Sequence, residues 1–119
     1  MLYLHTCANI GMKLNMDKLF KVLGDKVRLE LFLIINELPE ICLCDLELVF
    51  SLSSSNLSRH LKELHQADLL EITKVGKWKY YRVSRLGSNF IQLIYQLSKT
   101  EDLQSIKNIV NTIERSTTC

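Results

Sequence analysis

Met16, Leu19, Phe20 and Leu23 recur at i, i+3, i+4 and i+7, the spacing that gives a helix one apolar face. Gly24 is a natural stop for that helix, and Asp25 a natural N-cap for the next. From Val27 to Ile35 nearly every residue is apolar, which predicts a second helix buried at the centre of the fold. Pro39 is expected to end it, because the residue before a proline avoids helical angles. Leu43, Leu46 and Phe50 mark a short third helix, with Asp45 and Glu47 in its first turns, where acids suit the dipole. After the polar stretch from Ser51 to Ser55, Leu57, Leu61 and Leu64 form the buried stripe of a fourth helix, with Ser53 as its cap. Leu70, Ile72, Val75 and the run from Trp78 to Val83 are β-formers on either side of Gly76, which reads as two strands and a hairpin tip. Beyond Arg85, Phe90, Ile91, Ile94 and Leu97 predict one helix; Leu103, Ile106, Val110 and Ile113 predict another.

Three helices, a fourth with a polar outer face, a hairpin and terminal helices describe a winged helix-turn-helix, mainly α with a β-hairpin wing. The expected division is an N-terminal arm over residues 1–15, one DNA-binding and dimerisation domain over 16–115, and a tail over 116–119. With 119 residues, 47% of them hydrophobic, there is material for a single core. The net charge of +2 says little, but Lys74, Lys77, Lys79, Arg82 and Arg85 follow one another with no acid between them. That run points to an anionic partner. No stretch approaches the roughly 18 apolar residues that span a bilayer. The opening Met1-Leu2-Tyr3-Leu4-His5 lacks a basic start and a long apolar core, which argues against a signal peptide. The four cysteines are then expected to be reduced cytoplasmic thiols, since Cys42 and Cys44 are too close to staple a loop usefully.

At 100° per residue, a buried stripe centred on Leu57 leaves Ser55, Ser58, Arg59, Lys62 and Gln66 on the opposite face, with Ser54 at the helix mouth. Small hydroxyls let a helix approach the major groove, and Arg59 can donate two parallel bonds to a guanine edge. His60 falls beside the buried stripe and is assigned a structural role. Lys74, Lys77 and Lys79 in or beside the hairpin would reach phosphates, giving affinity and salt dependence rather than sequence reading. A solvated helix face is the plainer account of such residues taken alone. The basic hairpin that follows the helix is what favours double-stranded DNA. Cys42 and Cys44 place two soft ligands at the start of the third helix, immediately before the reading helix. This spacing suits a thiol-seeking ion.

The segment from Leu19 to Val83 resembles the ArsR/SmtB family of metal-responsive repressors. The pieces that carry the resemblance are Leu23-Gly24-Asp25 with Arg28-Leu29, the run Glu40-Ile41-Cys42-Leu43-Cys44-Asp45-Leu46, Leu57-Ser58-Arg59-His60-Leu61, and Gly76 to Val83. They lie closest to the arsenic-sensing branch, with cadmium/lead sensors next. The resemblance implies a cytoplasmic, homodimeric repressor on a palindromic operator, with no enzymatic activity and no permanent cofactor. The residues matching Cys42 and Cys44 bind As(III) or Sb(III) in the arsenic branch; Cd(II) or Pb(II) is the alternative. The chain departs from that branch at Glu47, where a third cysteine often stands. It also has no histidine after His65, which argues against a zinc site on the last helix.

Trivalent arsenic prefers three thiolates, so a third ligand is sought. Cys7 is preferred, because the cadmium/lead sensors recruit a cysteine from an N-terminal arm; Cys119 is the alternative, and His5 could assist a harder ion. A start at Met12 or Met16 would remove Cys7. Residues i and i+2 of a helix point about 200° apart, so capture by both cysteines is expected to unwind the first turn around Leu43. A thiolate at a helix start is also expected to have a lowered pKa. The seam Leu103, Ile106, Val110 and Ile113 and the stripe Met16 to Leu23 are expected to pack across a two-fold axis. A rival of the same fold would sense oxidation, with Cys7 or Cys119 as the resolving thiol. Neither a Cys–His–acid arrangement nor a phosphate-binding glycine loop is present to support catalysis.

Overall fold

The computed structural model describes residues 16–115 apart from positions 39, 49 and 51. In chain order its elements are α1 (Met16–Leu23), α2 (Lys26–Asn36), β1 (Ile41–Cys42), α3 (Leu43–Glu47), α4 (Ser54–Gln66), β2 (Leu70–Val75), β3 (Trp78–Val83), α5 (Arg85–Leu97) and α6 (Thr100–Arg115). The helices fall where the apolar spacing places them, except that α3 ends at Glu47 and leaves Phe50, expected on its apolar face, beyond the helix. Asp25 caps α2 by accepting the Arg28 N–H at 3.1 Å, and that bond holds its carboxyl below the usual value. Pro39, the expected stop, lies outside the described residues. By then α2 has already ended: its last residue is Asn36, and the Glu37 N–H closes the final turn onto the Ile34 and Ile35 carbonyls.

α2 is the hub of the core. Leu31, Phe32, Ile34 and Ile35 are wholly buried, and α1, α4, α5, α6 and β3 all pack on this helix. Such all-round burial explains its lack of a polar face. The sheet has an element that hydrophobic alternation did not reveal. β1 adds antiparallel to β3, giving the order β1-β3-β2, with Ile41 opposite Tyr81 and Cys42 opposite Tyr80. β2 and β3 form the expected hairpin, from Leu70 opposite Val83 to Val75 opposite Trp78. Gly76 turns it with φ +62°, a conformation that glycine adopts without steric cost.

The end of α4 is fastened to the foot of the wing. Asp68 takes a left-handed φ of 64°, letting its N–H reach the His65 carbonyl at 2.9 Å and the Leu69 N–H reach the Leu64 carbonyl at 3.1 Å. Ser84 then donates from its hydroxyl to the Asp68 carbonyl at 2.6 Å and from its N–H to the Leu69 carbonyl at 3.0 Å. Gly87 of α5 presses on the same corner, where a Cβ would sit 2.4 Å from the Leu69 oxygen.

The expectation for the last helix is corrected. Ile106, Val110 and Ile113 are buried within this one chain, with α6 lying on α2. The seam therefore belongs to the core, because α2 needs cover on the side that α1 and α4 leave open. Of the expected two-fold surface, Met16 and Phe20 on α1 stay exposed, the latter 59%, and Leu93 and Leu97 on α5, the latter 76%, add to them; Leu48, Val75 and Trp78 are exposed elsewhere. Phe20 meets Phe90 edge to face at 6.4 Å, which ties α1 to α5. No described helix is long and apolar enough to cross a membrane.

Candidate metal centre and nucleic-acid interface

The reading helix forms as its sequence dictates. Ser53 accepts the Asn56 N–H at 3.2 Å, and Leu57, Leu61 and Leu64 are sealed in the core. That fixes the roll of α4 and leaves Ser54, Ser55, Ser58, Arg59, Lys62 and Gln66 exposed on one surface. Arg59 bonds through Nη2 to the Asn56 carboxamide oxygen at 3.1 Å. Asn56 was not singled out from the sequence, because it sits one residue from the buried Leu57; the signal was its i, i+3 spacing from Arg59. His60 faces inward, as expected: its Nδ1 lies 3.5 Å from Nη1 of Arg28, whose Nε is held by the Val22 carbonyl at 2.8 Å.

Lys74, Lys77 and Lys79 are exposed on the wing. The register sets Lys74 directly opposite Lys79, an unfavourable like-charge pairing in a free sheet. Lys77 at the turn lies 5.4 Å from the centre of the Trp78 ring. The basic run does not act as one block, since Arg82 is spent on Glu71 at 2.8 Å, the one ion pair among the described residues.

The structure brings Cys42 and Cys44 together. Cys42 is the last residue of β1 and the N-cap of α3, held extended at φ −96° and ψ 166°. Only Cys44 is helical, so the 200° argument does not apply. The two sulfurs converge to 2.6 Å with α3 intact. Unwinding of the first turn is therefore not needed to bring the two sulfurs together. The Cys42 thiol also donates to Asp45 Oδ2 at 3.5 Å, and the three donor atoms all lie within 4.8 Å of one another. Asp45 is a member that sequence reasoning assigned only to the helix dipole. Its Oδ1 is buried and has no hydrogen-bond partner among the described residues. An orphaned carboxylate oxygen beside two convergent cysteine sulfurs is a donor set suited to a cation with affinity for sulfur.

The electrostatics reverse another expectation. Burial pushes the Cys42 thiol pKa up, and the Asp45 carboxylate adds to that; the nearby Asp45 N–H pulls the other way without making a capping bond. A five-residue helix that leaves its first thiol 3% exposed does not offset the loss of water. Cys7, Cys119, His5 and Met12 lie outside the described residues.

The thiol pair opens on a cavity of about 730 Å³ between α3, α4 and the wing. Ser58 and Lys62 of the reading helix and Lys77 and Lys79 of the wing border the same space. The candidate inducer site and the candidate DNA contacts are thus walls of one cleft.

The family described as "Bacterial regulatory protein, arsR family" matches residues 25–71. The chain is 45% identical over 67 residues to the arsenical resistance operon repressor of Escherichia coli, covering 56% of this chain and 57% of that protein. It is 38% identical over 65 residues to the arsenical resistance operon repressor of Bacillus subtilis, covering 55% and 62%. A cadmium resistance regulatory protein CadC homolog of Staphylococcus aureus is 29% identical over 68 residues, covering 57% and 56%. The chain thus spans little more than half the length of the curated relatives it matches. Among solved structures, reduced HlyU from Vibrio cholerae superposes with a TM-score of 0.60 at 26% identity, covering 67% of this chain and 84% of that one. The curated relatives are named as repressors or transcriptional regulators. Residues 25–71 thus match the model of the bacterial arsR family, and the fold built around them, with its wing, is a winged helix.

Proposed function

We propose that this protein is a cytoplasmic transcriptional repressor that binds a palindromic operator as a homodimer and is released by a thiol-seeking metalloid, arsenite or antimonite. The observation that carries this reading is the convergence of Cys42 and Cys44 at the junction of β1 and α3. Ser54, Ser55, Ser58, Arg59, Lys62 and Gln66 face the major groove, Arg59 as the chief base reader. Lys74, Lys77 and Lys79 hold phosphates. A second copy covers the apolar faces left by Met16, Phe20, Leu93 and Leu97, placing two reading helices about one DNA turn apart, ~34 Å.

Two paths lead from the thiols to DNA. Leu46 of α3 is wholly buried where α3 packs on α4, so a shift of α3 moves the reading helix. Cys42 is also paired with Tyr80 in β3, so the same shift pulls on the wing strand. A displacement of a few ångströms at each half of a dimer is enough to spoil two-site docking. Cys7 supplies the third sulfur, with Cys119 as the alternative.

Two further inducers have specific support. The Asp45 carboxylate suits Cd(II) or Pb(II) better than As(III), being a harder donor. The approach of the two sulfurs also supports oxidant sensing within this pair, in place of Cys7 or Cys119 as the resolving thiol. Titrating release of a fluorescent operator duplex with arsenite, antimonite, Cd(II), Pb(II) and peroxide separates them. The Cys42→Ser, Cys44→Ser double variant is expected to hold the duplex and ignore arsenite. Loss of duplex binding by the ion-free double variant would make the pair structural and end the reading.

A further inference from the structure

The guanidinium of Arg59 is tethered before any DNA arrives. Asn56 is the third residue of α4, fixed there by its N–H, which donates to Ser53 Oγ at 3.2 Å, and by the neighbouring Leu57, which is wholly buried. From that position its carboxamide oxygen accepts Arg59 Nη2 at 3.1 Å. An exposed arginine otherwise samples many rotamers, and this bond selects among them. The choice of atom matters. Nη2 is shared between the two donor forks of a guanidinium, the end-on fork with Nη1 and the side-on fork with Nε. It carries two protons, so one bond to Asn56 takes one fork and leaves the other whole.

We propose that Asn56 is a specificity-determining positioning residue, which holds Arg59 with its remaining fork presented to the O6 and N7 acceptors of a guanine. The inference rests on the reading of α4 as the groove-facing helix and deepens it. Asn56 reads no base of its own in this arrangement. A bidentate contact of asparagine with adenine needs the carboxamide oxygen, and Arg59 already occupies it. Immobilising a flexible side chain at an interface costs a factor of about 2 to 12 in affinity, part of which a side chain held beforehand escapes. That gain falls on the cognate duplex alone, because a duplex without the guanine gives the fork nothing to pair with. Asn56 therefore acts on discrimination between sequences, whereas the wing lysines act on affinity for any duplex.

Selection of duplexes from a randomised pool by the purified full chain supplies the probe without a known operator. The unaltered protein should enrich a guanine in each half-site, and Arg59→Ala should lose that preference. Fluorescence anisotropy on the selected duplex, and on a copy with A·T in place of those guanine pairs, then gives the discrimination ratio. Asn56→Ala should cut the ratio roughly threefold for each half-site, about tenfold for both, with affinity for the altered copy and the salt slope unchanged. Asn56→Asp keeps an acceptor for Nη2 but sets a negative charge near the phosphates. It should retain the guanine preference while binding every duplex more weakly, a split that general damage to α4 does not produce. Full discrimination by Asn56→Ala overturns the positioning role alone. Loss of an adenine preference with the guanine intact also overturns it, and makes Asn56 a direct reader. A guanine that is absent from the selected duplexes, or that survives Arg59→Ala, removes Arg59 as the reader and the role of Asn56 with it.

Discussion

Replacing Lys79 with glutamine should move folding and DNA binding in opposite directions. In the free protein Lys79 faces Lys74 across the β2–β3 ladder, with no acid paired to either among the described residues. Directly opposed like charges cost a few tenths of a kcal/mol, up to ~1, and screening by salt keeps an exposed pair at the low end. Lys79→Gln should therefore raise the urea midpoint slightly at low salt and leave it unchanged at high salt. On DNA the lost cation removes one phosphate contact per chain, which lowers the slope of log K against log salt by ~0.9, or ~1.8 for a dimer. Between 50 and 200 mM salt, ~0.9 in slope is a factor of about 3.5 for each contact, so the dimer should lose about twelvefold less affinity over that range than the unaltered protein. Fluorescence anisotropy of a labelled operator across that range measures it. Arg82→Gln is the control: its charge is already engaged by Glu71 at 2.8 Å, so the slope should barely change. A Lys79→Gln protein with an unchanged slope, or one that unfolds more easily, would refute the wing as a phosphate clamp under internal repulsion.

Two other consequences concern the frame. Gly87→Ala should destabilise by ~1–3 kcal/mol despite the better helix former, because the new Cβ would lie 2.4 Å from the Leu69 oxygen and 2.8 Å from Val83 Cγ1. Thermal unfolding tests this, and an alanine variant as stable as the parent would mean the α5 corner gives way freely. Tyr95 donates to Glu37 and accepts from Asn36 at 3.3 Å, and burial with that carboxylate bond pushes its pKa up to about 12. The folded phenol therefore keeps its proton where the unfolded one, near 10.0, has lost it, so stability falls as pH rises from about 10 toward 12. Tyr95→Phe should lack that part of the alkaline decline, seen as the difference between the two urea-midpoint profiles; superimposable profiles would exclude the shift.

Much of the fold could be read from the sequence because it is local. Leu57, Leu61 and Leu64 set the roll of α4, Ser53 its start and Gly76 the hairpin tip, and each obeys helix or turn geometry over a few residues. The exposure of Arg59, Lys62 and the wing lysines follows from the same periodicities. Even the Lys74–Lys79 pairing is implied once a two-residue turn is placed at Gly76 and Lys77.

The thiol site was legible in composition but not in geometry. Whether Cys42 and Cys44 diverge or converge depends on where α3 begins, and that is settled by β1 pairing with β3, some forty positions along the chain. The same pairing buries Cys42, which raises the thiol pKa that a helix start alone would lower. Asp45 becomes a third donor only because the chain folds back on itself there. Likewise the apolar seam of α6 carries no label saying which surface it covers, and α2 took it for the core. Periodicity says which face of an element avoids water. The partner that excludes the water is chosen by contacts distant in sequence, and those exist only in the assembled chain.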